Sequence, residues 1–158
     1  MLDRNNPDLL FIVLNFLKKL SIFGENKSEM KDCGIIDKIN RFIPCNNQLL
    51  LQVSLRLLFN LSFDMEIRAQ INDVGMIPKL VEVLKAPGFR ALILKLLYHL
   101  SMEDKLKATF TYTECIPLVY QLIIHCPEPI IGKELVALAV NLTNNARNAE
   151  IIAQDDQH

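Results

Sequence analysis

The chain has 158 residues, the length of one domain or of one stretch of a larger array. With 51% hydrophobic and 22% charged residues it can bury a core, which excludes a disordered composition. Its 17 Lys and Arg against 18 Asp and Glu leave a charge of −1, without the basic excess that displaces counterions from nucleic acid.

In chain order, apolar residues recur at spacings of three and four, the period of an α-helix. A long helix is predicted over Asp8–Leu20, with Leu14, Leu17 and Leu20 on one face. A short helix follows at Glu25–Asp32, and Gly34 supplies a residue free to take positive φ at its end. A medium helix covers Ile35–Ile43 and stops at Pro44. The same triplet then returns as Gln48–Leu61, Met65–Asp73 with Gly75, and Met76–Leu84 with Pro78 in its first turn. It returns again as Phe89–Leu100, Glu103–Thr111 and Cys115–His125, between Pro87 and Pro127. Ser101 followed by Asp104 resembles a capping box at the third short helix. Ile130–Leu142 and Ala146–Ala153 close the series. No alternating strand pattern and no Asn-Gly or Asp-Gly hairpin signal competes with this reading.

The strings KKLS, FNLS, YHLS and VNLT end at Ser21, Ser62, Ser101 and Thr143, offsets of about 41, 39 and 42 residues. That is the period of armadillo and HEAT repeats. Three helices per unit favour armadillo over the two-helix HEAT unit. The expected fold is all-α: an armadillo-type, right-handed α–α superhelix of about four units, 8–47, 48–88, 89–129 and a partial 130–158. The series opens on a third helix and stops after a first helix. Leu9, Phe11 and Ile12 at one end, and Ile151 and Ile152 at the other, are expected to face missing neighbours. A slice of a longer array, or a chain that pairs end to end, fits this pattern.

No catalytic constellation is present. The sequence lacks GxSxG, P-loop, HExxH and GxGxxG motifs. Cys33, Cys45, Cys115 and Cys126 form no CxxC pair, and His99, His125 and His158 complete no zinc spacing. The expectation is a non-enzyme without metal or cofactor. No signal peptide is visible and no apolar run approaches the ~20 residues that span a bilayer, so a soluble, intracellular protein without membrane insertion is expected.

The string NDVGMIPKLVEVL, with LRLLFNLS before it, resembles an armadillo repeat: a glycine hinge, I-P-x-L-V on the second helix and L-x-N-L-S closing the third. Glu114 stands at the glycine position of the third unit and Asp37 at the proline position of the first. Lys19 and His99 replace the third-helix asparagine that Asn60 and Asn141 keep. The opening MLDRNNPDLLFIVLNFLKKLSIFGENK, then LRLLFNLSFD and YTECIP, is similar to the armadillo region of the kinesin-associated protein family, the non-motor subunits of heterotrimeric kinesin. The resemblance implies a scaffold that holds kinesin motor-subunit tails and cargo adaptors. It also implies a cytoplasmic, microtubule-associated place that includes intraflagellar transport in cilia. Another armadillo adaptor, such as a transport receptor or junction protein, is the alternative.

In this fold the third helices line the binding face, so the candidate site residues are Asn15, Lys19, Arg56, Asn60, Lys95, His99 and Asn141. Asn60 and Asn141 offer a donor and an acceptor to a peptide backbone. One turn before that ladder stand Asn15, Arg56, Lys95 and Ala137, where import receptors of this fold carry tryptophan; this chain has none. Two cations there repel a basic peptide. With Lys18, Lys19 and Lys133 they predict an acidic or mixed partner segment, for which Phe59, Phe63 and Tyr98 are candidate apolar anchors.

Overall fold

A computed structural model describes residues 1–127 and 129–155. The end of the fourth predicted unit, with His158, lies outside them. Every regular element among the described residues is helical. The long helices are α1 (Pro7–Leu20), α4 (Gln48–Leu61), α7 (Arg90–Ser101) and α10 (Lys133–Thr143). The short ones are α2 (Gly24–Asp32), α5 (Met65–Asp73), α8 (Asp104–Phe110) and α11 (Ala146–Asp155). The medium ones are α3 (Ile35–Asn40), α6 (Met76–Leu84) and α9 (Cys115–Ile124).

Local chemistry sets these boundaries. The Asn6 side chain accepts from the backbone N–H groups of Asp8 and Leu9 at 3.0 and 3.1 Å, and Pro7 opens α1 where a missing N–H costs nothing. Asn47 caps α4 in the same way, through Leu49 and Leu50 at 3.1 Å each. Gly34 and Gly75 enter α3 and α6 at φ +64° and +66°, the left-handed conformation that glycine adopts without steric cost.

Four expectations shift. The third corner turns without a left-handed residue, because Glu114 sits at φ −77°, ψ 9°. Thr113 manages it instead, donating its hydroxyl to the Phe110 carbonyl at 2.9 Å and accepting from the Cys115 N–H at 3.2 Å. The capping box does not form: Glu103 takes the N-cap of α8, and Asp104 pairs with Lys107 Nζ at 2.7 Å. The last long helix starts at Lys133 rather than Ile130, after Gly132 in extended backbone. Finally, Pro87–Phe89 form a 3₁₀ turn, so α7 starts at Arg90.

The long helices pack in sequence, α1 on α4, α4 on α7 and α7 on α10, while α5 meets α8 and α8 meets α11. Each triplet stacks on the next, and this is an α-solenoid. The apolar columns of the repeat form its core. Leu14, Leu55, Leu58, Leu61, Leu97 and Leu100 are fully buried, and each contributes about 1.5–3 kcal/mol by leaving water. Burial is densest in the middle. Helix α4 buries eight residues, from Leu50 to Leu61, whereas α1 buries only Leu10 and Leu14. Ile12 and Phe16 on α1 stay 65% and 61% exposed.

The long-helix face as candidate site

The L-S string that reveals the repeat is also its stitching. Ser21, Ser62 and Ser101 are fully buried, and each hydroxyl donates back to the carbonyl three residues earlier, at 2.7–2.8 Å. Each then receives the ladder residue of the following repeat. Asn60 Nδ2 donates to Ser21 Oγ and to the Lys18 carbonyl, both at 3.0 Å. His99 Nδ1 meets Ser62 Oγ at 2.7 Å, and Asn141 Nδ2 donates to Ser101 Oγ at 3.1 Å. A primary amide has two N–H donors, so Asn60 has spent both inside the protein and faces outward only as an acceptor. These bonds hold neighbouring long helices in register, a role that a lone-residue reading of Asn60 and Asn141 does not contain.

Of the other expected residues, Asn15 is tied up locally. Its amide donates to the Phe11 carbonyl at 3.0 Å and its oxygen accepts from Lys18 Nζ at 2.9 Å. Lys19, Arg56 and Lys95 are exposed. Lys95 lies 3.8 Å from Glu134, while Lys19, Arg56 and Lys133 touch no carboxylate among the described residues. The four long helices together hold six Lys and Arg against two acidic residues, Asp8 and Glu134. They carry +4 of a chain whose total is −1, which leaves −5 for the rest.

Three neighbouring pockets follow this face. One of about 260 Å³ lies among Lys19, Ile22, Arg56 and Phe59. A second of about 250 Å³ lies between Arg56 and Lys95. A third of about 340 Å³ is lined by Phe59, Lys95, Tyr98, His99, Lys133, Glu134 and Ala137. Arg56, Phe59 and Lys95 are each shared by two pockets, so the three join into one groove that crosses from α1 to α10.

An aromatic cluster forms the groove's edge. Phe59 stacks on His99 with ring centroids 5.1 Å apart, and Phe63 meets the same imidazole edge-on at 4.5 Å. Tyr98 lies 6.0 Å from His99. Phe63 remains 60% exposed, with Lys27 Nζ 5.6 Å above its ring. Burial disfavours the charged imidazole and the nearby Arg68 adds repulsion, so His99 titrates below the ordinary histidine range. Sequence reasoning missed Ile22, which is 68% exposed and lines the first pocket. Its signal was register: Ile22 and Phe63 each follow a closing serine by one residue.

Among the described residues no group of three His, Cys, Asp or Glu side chains is placed to hold a metal ion. All four cysteines are free, and burial pushes the Cys115 thiol up to about 12, far from the thiolate that nucleophilic chemistry needs. Among the described residues no helix is long and apolar enough to cross a membrane.

Two comparisons bear on this geometry. The family model described as Kinesin-associated protein (KAP) matches residues 1–158. Among solved structures, the crystal structure of an engineered protein superposes with a TM-score of 0.78 at 16% identity, over 91% of this chain. The match spans 61% of that protein's length, and at this identity the likeness is one of fold alone.

Proposed function

Because the chain belongs to the kinesin-associated protein family, whose members are accessory subunits associated with kinesin, we propose that its long-helix face is where it acts, as a non-catalytic scaffold. It holds peptide segments of the motor-subunit tails and of cargo adaptors, and so couples heterotrimeric kinesin to its load. Its place of action is the cytoplasm along microtubules, including intraflagellar transport in cilia. The observation that carries this reading is the groove with its cations, of which Lys19, Arg56 and Lys133 meet no carboxylate among the described residues and Lys95 lies 3.8 Å from Glu134. Long helices that carry +4 of charge in a chain whose total is −1 attract a partner of opposite sign, and speed its encounter at low salt. The joined pockets give it length enough for a segment rather than a small molecule.

The test is capture of the two motor-tail segments by this chain, by an Arg56→Glu plus Lys95→Glu variant, and by a Lys105→Glu control. Lys105 is exposed on α8, away from the groove. Capture lost in the groove variant and kept in the control supports the reading. Equal capture by all three moves the site off this face. No capture by this chain or by a longer array of the family overturns the motor assignment.

A further inference from the structure

We infer that the segment held in this groove is an acidic amphipathic α-helix, rather than an extended peptide; the inference rests on the long-helix face being the docking surface. Three observations lead to it.

The first is the state of the ladder. An extended peptide in a groove has every other backbone N–H and C=O turned toward the protein, and buried without partners these groups are costly. Only donors and acceptors from the groove floor can satisfy them. Here both Asn60 donors go to Ser21 Oγ and the Lys18 carbonyl, His99 Nδ1 is engaged by Ser62 Oγ, and Asn141 gives a donor to Ser101 Oγ. A backbone clamp is therefore largely spent on joining the repeats. A helix needs none, because its own ladder satisfies its backbone.

The second is the arrangement of the surface. Cations stand at Arg56 and Lys95, both exposed, one on each of two adjacent long helices; Arg56 meets no carboxylate among the described residues and Lys95 lies at a loose 3.8 Å from Glu134. Apolar side chains stand at Ile22 and Phe63, one in each of the turns that follow α1 and α4, 68% and 60% exposed. Ile22 shares its pocket with Arg56, and Phe63 packs on the Phe59 and His99 rings that share theirs with Lys95. Two successive repeat junctions thus each offer one cation and one apolar contact, side by side. The complementary ligand has carboxylates along one flank and large apolar residues along the next.

The third is spacing. Packed helices lie roughly 8–10 Å apart. Seven residues of α-helix rise about 10.5 Å. A helix laid across the long helices meets a new repeat about once per heptad, so two apolar residues at heptad spacing with Glu beside them find the same kind of contact at both junctions.

The test uses the whole chain and three labelled synthetic peptides of about three heptads, read by fluorescence anisotropy. One carries Leu or Phe at heptad spacing with Glu on the adjoining flank. The second has the same composition with two interior prolines, which forbid the helix. The third replaces Glu by Lys. The expected result is at least tenfold tighter binding of the first peptide than of either other, weakening with salt. Binding is also expected to fall at least tenfold with Arg56→Glu plus Lys95→Glu, and with Ile22→Ala plus Phe63→Ala; all four side chains are exposed, so the fold tolerates their loss. The peptide's circular dichroism should gain helix on binding. Equal affinity for the proline-broken peptide overturns the inference, as does binding indifferent to the groove variants. Capture of motor-tail segments on this face with no binding of the first peptide overturns the helix while leaving the docking face standing.

Discussion

Two sets of cations differ in what they do at the repeat junctions: Lys31, Arg68 and Lys85 on or beside the short and medium helices, and Lys19, Arg56 and Lys133 on the long ones. Lys31 meets Glu66, Arg68 meets Glu103 and Lys85 meets Glu114, each pair joining one repeat to the next, while Lys27, Lys38 and Lys105 on the same helices meet no carboxylate among the described residues. On the long helices Lys19, Arg56 and Lys133 meet no carboxylate among the described residues. The three pairs belong to the stacking of repeats. Lys95 reaches Glu134 at 3.8 Å across the junction of α7 and α10, whereas Lys19, Arg56 and Lys133 add no such pair to the stacking.

The largest expected difference lies between two arginines. The Arg68 side chain is 12% exposed, and donates to the Ser62 carbonyl at 2.9 Å and to Glu103. Arg68→Met strands a partly buried carboxylate and a carbonyl, and should cost about 2–3 kcal/mol in urea unfolding. Arg56→Met should change stability by less than about 0.5 kcal/mol. Similar costs for the two would erase the distinction between the faces.

The next contrast lies within the long-helix face. Asn60→Ala removes two bonds across the repeat junction and should cost about 1–2 kcal/mol, whereas Asn15→Ala removes only local bonds and should cost about 0.5 kcal/mol or less. A thermal melt of the two variants side by side reads this directly, and a harmless Asn60→Ala would return that residue to the role of free peptide clamp. Smaller still, Gly75→Ala places a Cβ at φ +66° and should cost about 1 kcal/mol by chemical denaturation. Glu114→Ala at φ −77° carries no such backbone cost, and what it removes is an exposed pair with Lys85.

The smallest effect is a pH dependence. The His99 pKa lies below its unfolded value of 6.5 because burial, then Arg68, disfavours the imidazolium. Just below pH 6.5 the unfolded chain binds more protons than the folded one. Stability is therefore full above that pH and falls as acid carries the solution through the folded pKa. His99→Asn, the residue that α4 and α10 carry at this position, should keep a bond to Ser62 and lose this part of the acid sensitivity. Melts between pH 7.5 and 5 that fall in parallel for the two proteins would contradict the assignment.

Much of the fold was legible because one period is written into three helices at once. Columns such as Leu17, Leu58 and Leu97 fix helix faces, and Gly34 and Gly75 fix corners. A boundary slipped at Gly132, where a single residue decides a turn, whereas α9 starts at the expected Cys115 although Glu114 shapes its corner differently. The site was legible as residue types but not as bonding states. Asn60 reads as a free amide, since the Ser21 hydroxyl and Lys18 carbonyl that take its protons lie 39 and 42 residues earlier. Ile22 escaped notice because an apolar residue in a turn has no helical period to reveal it.

The central claim is that motor-tail segments dock on the long helices. It is tested most directly by mapping chemical-shift changes in the labelled chain when a captured segment is added. The account predicts the largest changes at Arg56, Asn60, Lys95 and His99, on α4 and α7. Changes confined to Met65, Lys105 and their neighbours on α5 and α8 would contradict it.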